Sequence, residues 1–177
     1  MKQTTLPCIL SIVALLITTG CRATYHRTDM KSLATPLDPL GAVVISVPAN
    51  GKYCDVEYKN SGEMTAAAIR AAFVRHASDV VIKKDCRTID CVRNLESGKF
   101  KYYVQPTILH WEERATEWSG KPDRINIQII IYDVTSGMQI GNSSYTGRSK
   151  WATLGGDHPQ DLLPDPTQQF VDSLYRE

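Results

Sequence analysis

Two stretches of the chain hold the residue types that bind or catalyse. The first runs His110-Trp111-Glu112-Glu113-Arg114-Ala115-Thr116-Glu117-Trp118-Ser119-Gly120-Lys121-Pro122-Asp123-Arg124, and the second occupies residues 149–164. Between them, His110, Trp111, Glu112, Arg114, Trp118, Trp151, Asp157 and His158 make a candidate binding surface. Glu112 or Glu113 with Glu117 or Asp157 could work as acid and base on a glycoside, which needs two carboxyl groups about 5–9.5 Å apart. His110, Asp157 and His158 could ligate a metal, although His158 before Pro159 has the character of a turn residue. The tryptophans could stack on sugar rings or anchor a protein partner, because rigid aromatics dominate binding hot spots. The plainer reading is structural: the tryptophans cap the core, and Arg114 and Arg124 pair with Glu112 and Asp123 to fix a long loop. The chain lacks a Ser-His-Asp or Cys-His order, a P-loop and a Gly-rich nucleotide fingerprint. No catalytic residue, metal ligand or cofactor is assigned on sequence.

The elements that must position these loops read as a single domain over residues 41–177. Ala42-Val43-Val44-Ile45-Ser46-Val47 is a β-branched run suited to a strand buried on both faces. Lys52–Tyr58 reads as a short edge strand. Ser61, with Glu63 behind it, is a candidate N-cap for a helix to about His76, its stripe formed by Met64, Ala68, Ala72, Phe73 and His76. Val80-Val81-Ile82 is a second buried strand, 88–95 a short helix, and 102–111 a third strand. Ile125, Ile127, Ile129 and Ile131 alternate with Asn126, Gln128, Ile130 and Tyr132, the pattern of a strand with one apolar face. A turn at 133–137 returns the chain antiparallel over 138–149, and 166–175 is a closing helix with Phe170, Val171 and Leu174 inward. The order β-α-β-α-β-β-β-α predicts an α/β domain of the α+β sandwich kind, a mixed sheet with helices packed against it. The ends of the third and fifth strands then share one sheet edge, where the two polar loops can meet.

Residues 1–20 have another character. Lys2, an apolar run from Leu6 to Ile17 and the small-residue exit Thr18-Thr19-Gly20 are the three parts of a secretory signal. The run is about a dozen residues, short of the roughly 20 that span a bilayer. Thr18-Thr19-Gly20-Cys21 resembles the lipobox of bacterial lipoproteins, with Thr18 where the box usually carries Leu. The rival is an ordinary signal with a chance cysteine. The resemblance implies cleavage before Cys21 and attachment of lipid, palmitate included, to its thiol; several acyl chains hold a protein far more firmly than one. Arg22, where aspartate would favour the inner membrane, implies outer-membrane delivery in a Gram-negative envelope, with the domain in the periplasm. Residues 21–40 lack apolar periodicity and read as a flexible tether, at most about 65 Å long if extended and about 25 Å on average.

Lys and Arg number 20 against 19 Asp and Glu. Loss of residues 1–20 removes Lys2 and leaves the charges balanced, which disfavours a nucleic-acid partner. Of five cysteines, Cys54, Cys86 and Cys91 would face an oxidising compartment, where disulfides persist. Cys86–Cys91 is the favoured pair, because a local turn can bring the two within the required Cα separation of about 4.4–6.8 Å. Cys54 bonded to either one is the rival pairing. A metal site is disfavoured, since no second Cys or His pair lies at ligand spacing.

The segments 110–120, 151–153 and 157–163 resemble a family of bacterial lipoproteins of unknown function, the YajI-like proteins. That resemblance covers the leader and most of the domain and implies an envelope lipoprotein with no activity to carry over. The element order is also similar to the periplasmic domains of curli-secretion and peptidoglycan-synthase-activating lipoproteins, an analogy of fold. The expectation is a non-enzymatic binding or assembly module for an envelope protein or glycan, held to the membrane by its N-terminal lipid; a glycan hydrolase using loop carboxylates is the alternative. Thiol labelling with peptide mapping checks the cysteines: label should enter Cys54 in native protein and reach Cys86 and Cys91 only after reduction. Labelled Cys86 from native protein would exclude the pairing.

Overall fold

The computed structural model describes residues 23–31, 35–95, 98–114, 121–150 and 158–176. Its centre is the antiparallel trio β6 (Phe100–Glu112), β7 (Arg124–Asp133) and β8 (Gln139–Arg148). Ile125, Ile127, Ile129 and Ile131 of β7 all point to one face and are almost wholly buried, as their alternation predicts. β2 (Ala42–Ser46) adds to the far side of β6, in parallel, and β5 (Val80–Lys83) adds to β2, also in parallel. With β1 (Thr24–Lys31), the sheet order is β1-β8-β7-β6-β2-β5. All five residues of β2 are buried, because this strand has packed layers above and below it.

Those layers follow from connectivity. The chain leaves β2 through α1 (Ser61–Phe73) to β5, then returns past β2 through α2 (Ile89–Asn94) to β6. Parallel crossovers are right-handed, so reversing direction across β2 puts the two helices on opposite faces. One face carries α1 and α3 (Pro164–Leu174), whose Ala66, Ile69, Phe73, Phe170, Val171 and Leu174 pack on the β7 isoleucines. The other carries α2, with Val92 and Cys86 over Val44, Phe100 and Tyr103. A disulfide joins Cys86 to Cys91 with Cα atoms 5.5 Å apart, and Cys54 is a free, exposed thiol. The mixed-sheet fold is the one the sequence predicts, and the predicted order recurs with two additions.

The first addition is β1, and it corrects the expected tether. Instead of hanging free, residues 24–31 pair antiparallel with β8, from Thr24 opposite Arg148 onwards. The strand escapes apolar pattern reading because it lies at the sheet edge, and of the described side chains in Thr24–Asp29 all but Tyr25, which packs against the core, are exposed. Its hold is the backbone ladder, helped by the Ser143 hydroxyl donating to the Asp29 carboxylate at 2.7 Å. The end of the supposed tether is fixed too. Leu37 is buried and its amide donates to the Leu174 carbonyl at 2.8 Å, while the Asp38 amide donates to the Tyr102 hydroxyl at 2.9 Å.

The second addition is a hairpin, β3 (Lys52–Tyr53) and β4 (Val56–Glu57), in place of one edge strand and outside the main sheet. Two details of α1 also differ from expectation. Its N-cap is Asn60, at φ 67°, and Ser61 lies inside the first turn, where its hydroxyl accepts from Gly51 and donates to the Tyr58 carbonyl. The buried stripe is Thr65, Ala66, Ile69, Ala72 and Phe73; Met64 and Ala68 flank it, and His76 falls beyond the helix end, half-exposed and paired with Asp172 at 2.7 Å. If β1 is structural, deleting residues 24–31 should expose the hydrogen-bonding edge of β8, lowering the urea midpoint and promoting aggregation. A free tether could be deleted with the midpoint unchanged.

Candidate functional site

The two polar stretches meet at the sheet end where β6 stops and β7 begins. A bulge between Ile108 and His110 shifts the β6 register, so Trp111 comes to the core face, while Glu112, one residue on, is buried on the opposite face beside His110. Trp111 sits opposite Ile125 in the main core. The chain at Gly51 passes so close that an added Cβ would lie 2.3 Å from the Trp111 Cβ, which is why glycine stands there. Glu112 is buried, so it supports the site from beneath and is not part of an exposed surface, while Trp111, also buried, contributes only as a wall of the pocket described below.

Glu112 is a carboxylate with 2% of its side chain exposed. A buried charge is tolerated only when paired and hydrogen-bonded, and its partners are the Arg114 guanidinium and His110 Nε2, the latter at 3.3 Å. Burial pushes the Glu112 carboxyl up, but hydrogen bonds from His110 and Arg114 outweigh that and hold it below its ordinary value. The network recruits the hairpin. Tyr53 meets His110 edge to face at 5.2 Å, and Arg114 lies over its ring while donating to its hydroxyl at 3.3 Å. The negative Glu112 in turn raises the Tyr53 phenol.

Backbone contacts then close both loops. The Arg114 amide donates to Asp123 Oδ1 at 2.5 Å, pinning the two ends of the β6–β7 connection together. The Asp123 amide donates to the Ser149 hydroxyl at 2.9 Å, joining that connection to the segment after β8. The pairing expected of Arg114 with Glu112 is present. His158 caps a short 3-10 helix, Pro159–Leu162, its amide donating to Asp161 at 2.9 Å. Its Nδ1 reaches Glu113 Oε1 at 3.1 Å, which brings the second motif onto the first. Beside this contact opens a pocket of about 330 Å³, with Trp111, Met64 and Tyr58 among its walls and the polar groups of Glu57, Glu113 and Gln160.

The structure therefore brings together His110, Trp111, Glu112, Arg114 and His158. Trp118, Trp151, Asp157 and Cys21, the expected lipid-attachment residue, lie outside the described residues, as does Glu117. Tyr53, Glu57, Tyr58 and Met64 were missed on sequence; the available signal was a pair of tyrosines flanking a tight turn between a buried strand and a helix. Among the described residues, no three His, Cys, Asp or Glu side chains gather as a metal-holding group.

A mixed sheet with a helical layer on one face and a single short helix on the other, closed at one end by polar loops over a pocket, defines the class of domain. The chain belongs to the family described as Domain of unknown function (DUF4823), whose model matches residues 36–174. No curated protein matches it. Among solved structures it is similar to the PelC dodecamer from Paraburkholderia phytofirmans, at TM-score 0.66 and 13% identity over 88% of this chain and 99% of that one. It is also similar to protein XCC0632 from Xanthomonas campestris, of the DUF330 family, at TM-score 0.51 and 10% identity over 80% and 87% of the two chains. At such identities the likeness is one of fold.

Arg114→Ala should leave Glu112 buried with too few partners and cost about 1–3 kcal/mol at neutral pH. The pH dependence has a definite sign. With its folded pKa depressed, Glu112 contributes stability above its ordinary value of 4.5, and that contribution is lost as pH falls through the lower folded value. Urea titrations across that range should show a shallower acid loss in Glu112→Gln than in the wild type.

Proposed function

We propose that the chain is an outer-membrane lipoprotein, anchored through Cys21, whose periplasmic domain is a binding and assembly module for an envelope protein or glycan. The observation that carries the reading is the convergence of the two motifs, His158 on Glu113, beside an open pocket with an aromatic and apolar wall and a polar rim. Binding sites are concave and set placed polar groups beside apolar walls; here Glu57, Lys59, Ser61, Glu113 and Gln160 supply the polar groups and Tyr58, Met64 and Trp111 the apolar wall, a more polar make-up than most small-molecule sites have. The leader supports the compartment, and within the family the two motifs support YajI-like kinship. Assembly has a precedent in the fold, since the PelC chain forms a dodecamer. The glycan-hydrolase alternative draws no support from Glu112, whose charge is committed to Arg114 and His110.

Two measurements test the proposal in a Gram-negative host. Labelled palmitate should enter the wild type and sediment with outer membranes, and Cys21→Ser should abolish both. A photo-crosslinker at Gln160 should capture a discrete partner, a second copy included, while one at Arg75 should not. His158→Ala should weaken capture yet change stability by less than about 0.5 kcal/mol, because the His158–Glu113 pair is exposed. Absence of capture from Gln160 in a folded, membrane-held protein would overturn the binding role.

A further inference from the structure

Strand β1 changes where the domain must sit. Thr24 is already in the ladder opposite Arg148, and it follows Cys21 by three residues, which reach about 10 Å when extended. An anchor at Cys21 therefore holds this end of the sheet close to the bilayer, where a free tether would let it drift away. The residues in register at that end are Thr24 on β1, Arg148 on β8 and Arg124 on β7. Arg124 and Arg148 face each other directly, and both are exposed.

Like charges opposite one another on neighbouring strands are destabilising, so the pair asks for a counter-charge. Among the described residues no carboxylate pairs with either. The acids nearest in the fold are otherwise engaged: Glu112, opposite Arg124, is held by Arg114 and His110; Asp123 accepts from the Arg114 amide; Glu113 takes His158. Guanidinium groups suit phosphate oxygens, which they can bind in bidentate fashion.

We propose that this end of the sheet, through Arg124 and Arg148, docks on the anionic phospholipid headgroups of the membrane that anchors the chain. The inference rests on the lipid anchor proposed above and adds a second, electrostatic contact to it. Distance decides in its favour. The attraction of basic residues to an anionic leaflet fades within a Debye length of about 8–10 Å, which is the reach of the three-residue step from Cys21 to Thr24. On a tether averaging about 25 Å, the same arginines would feel little of it. Docking fixes orientation: the pocket rim near Glu113 lies on the membrane side, and the far end, where Arg75 precedes β5, points into the periplasm.

Arginine footprinting of the full-length lipidated protein tests this. In nanodiscs that include phosphatidylglycerol, phenylglyoxal modification of Arg124 and Arg148 should fall severalfold relative to phosphatidylcholine discs, with Arg75 unchanged and high salt restoring reactivity. In Arg148→Glu, protection of Arg124 should be lost. Equal modification in both discs would overturn docking while leaving the anchor intact. If mass spectrometry instead finds Cys21 without lipid, the anchor reading fails on its own. Flotation of that unlipidated chain with phosphatidylglycerol vesicles at low salt then decides: failure to float overturns the docking surface, and salt-sensitive flotation lost in Arg148→Glu upholds it.

Discussion

The register of β7 is the constraint on which the rest of this structure depends. Side chains alternate across a strand, so a slip of one residue would turn Ile125, Ile127, Ile129 and Ile131 from the helical layer to solvent. Each fully buried isoleucine contributes about 1.5–3 kcal/mol, so the alternative register forfeits about 6–12 kcal/mol, comparable to the whole stability of an ordinary domain. Once that register is set, the neighbours have no freedom. Trp111 must fall opposite Ile125, Glu112 opposite Arg124, and Arg148 opposite Arg124 in turn. The geometry of the polar end is thus imposed from the apolar middle of the sheet.

At that end, a buried carboxylate does the organising. Glu112 could not remain in the core without counter-charge, and the groups that supply it come from β6 itself and the segment just after it, with Tyr53 of the hairpin completing the enclosure. The same few residues therefore close the loop and seat the hairpin, and their chain neighbours Trp111 and Glu113 wall the pocket. A polar residue in the core is poor evidence of stability for its own sake; its use here is to specify which loops lie side by side. The exposed His158–Glu113 contact is then a consequence of that arrangement and contributes little to holding it.

How far the sequence could be read follows the same division. The buried strands were legible because burial leaves periodicity: the isoleucines of β7, the unbroken run of β2 and the turn at Asp133–Gly137 all carry it. The Cys86–Cys91 bridge was legible because five residues of local chain confine its geometry. Strand β1 was not, since an edge strand of Thr, His, Arg and Asp is written in backbone hydrogen bonds that no side-chain pattern records. At the site, the meeting of the two motifs could be foreseen from topology. The arrival of Trp111 on the core face could not, because it hangs on a bulge, and a bulge inserts one residue without announcing itself in composition. Ser61 misled for a related reason: serine favours caps in general, but here its hydroxyl is claimed by Gly51 and Tyr58.

The pairing of β1 with β8 also bears on how the chain is made. Asp29 and Ser143, which hydrogen-bond across that ladder, are separated by 114 residues in sequence, and contacts so distant form late because their loop-closure cost comes first. During synthesis the first strand of the sheet must wait for almost the whole domain before it finds its neighbour. The sheet cannot close at this edge while β8 is still being translated. The long-range strand pair thereby acts as a timer: this edge of the sheet closes only once β8 is within reach.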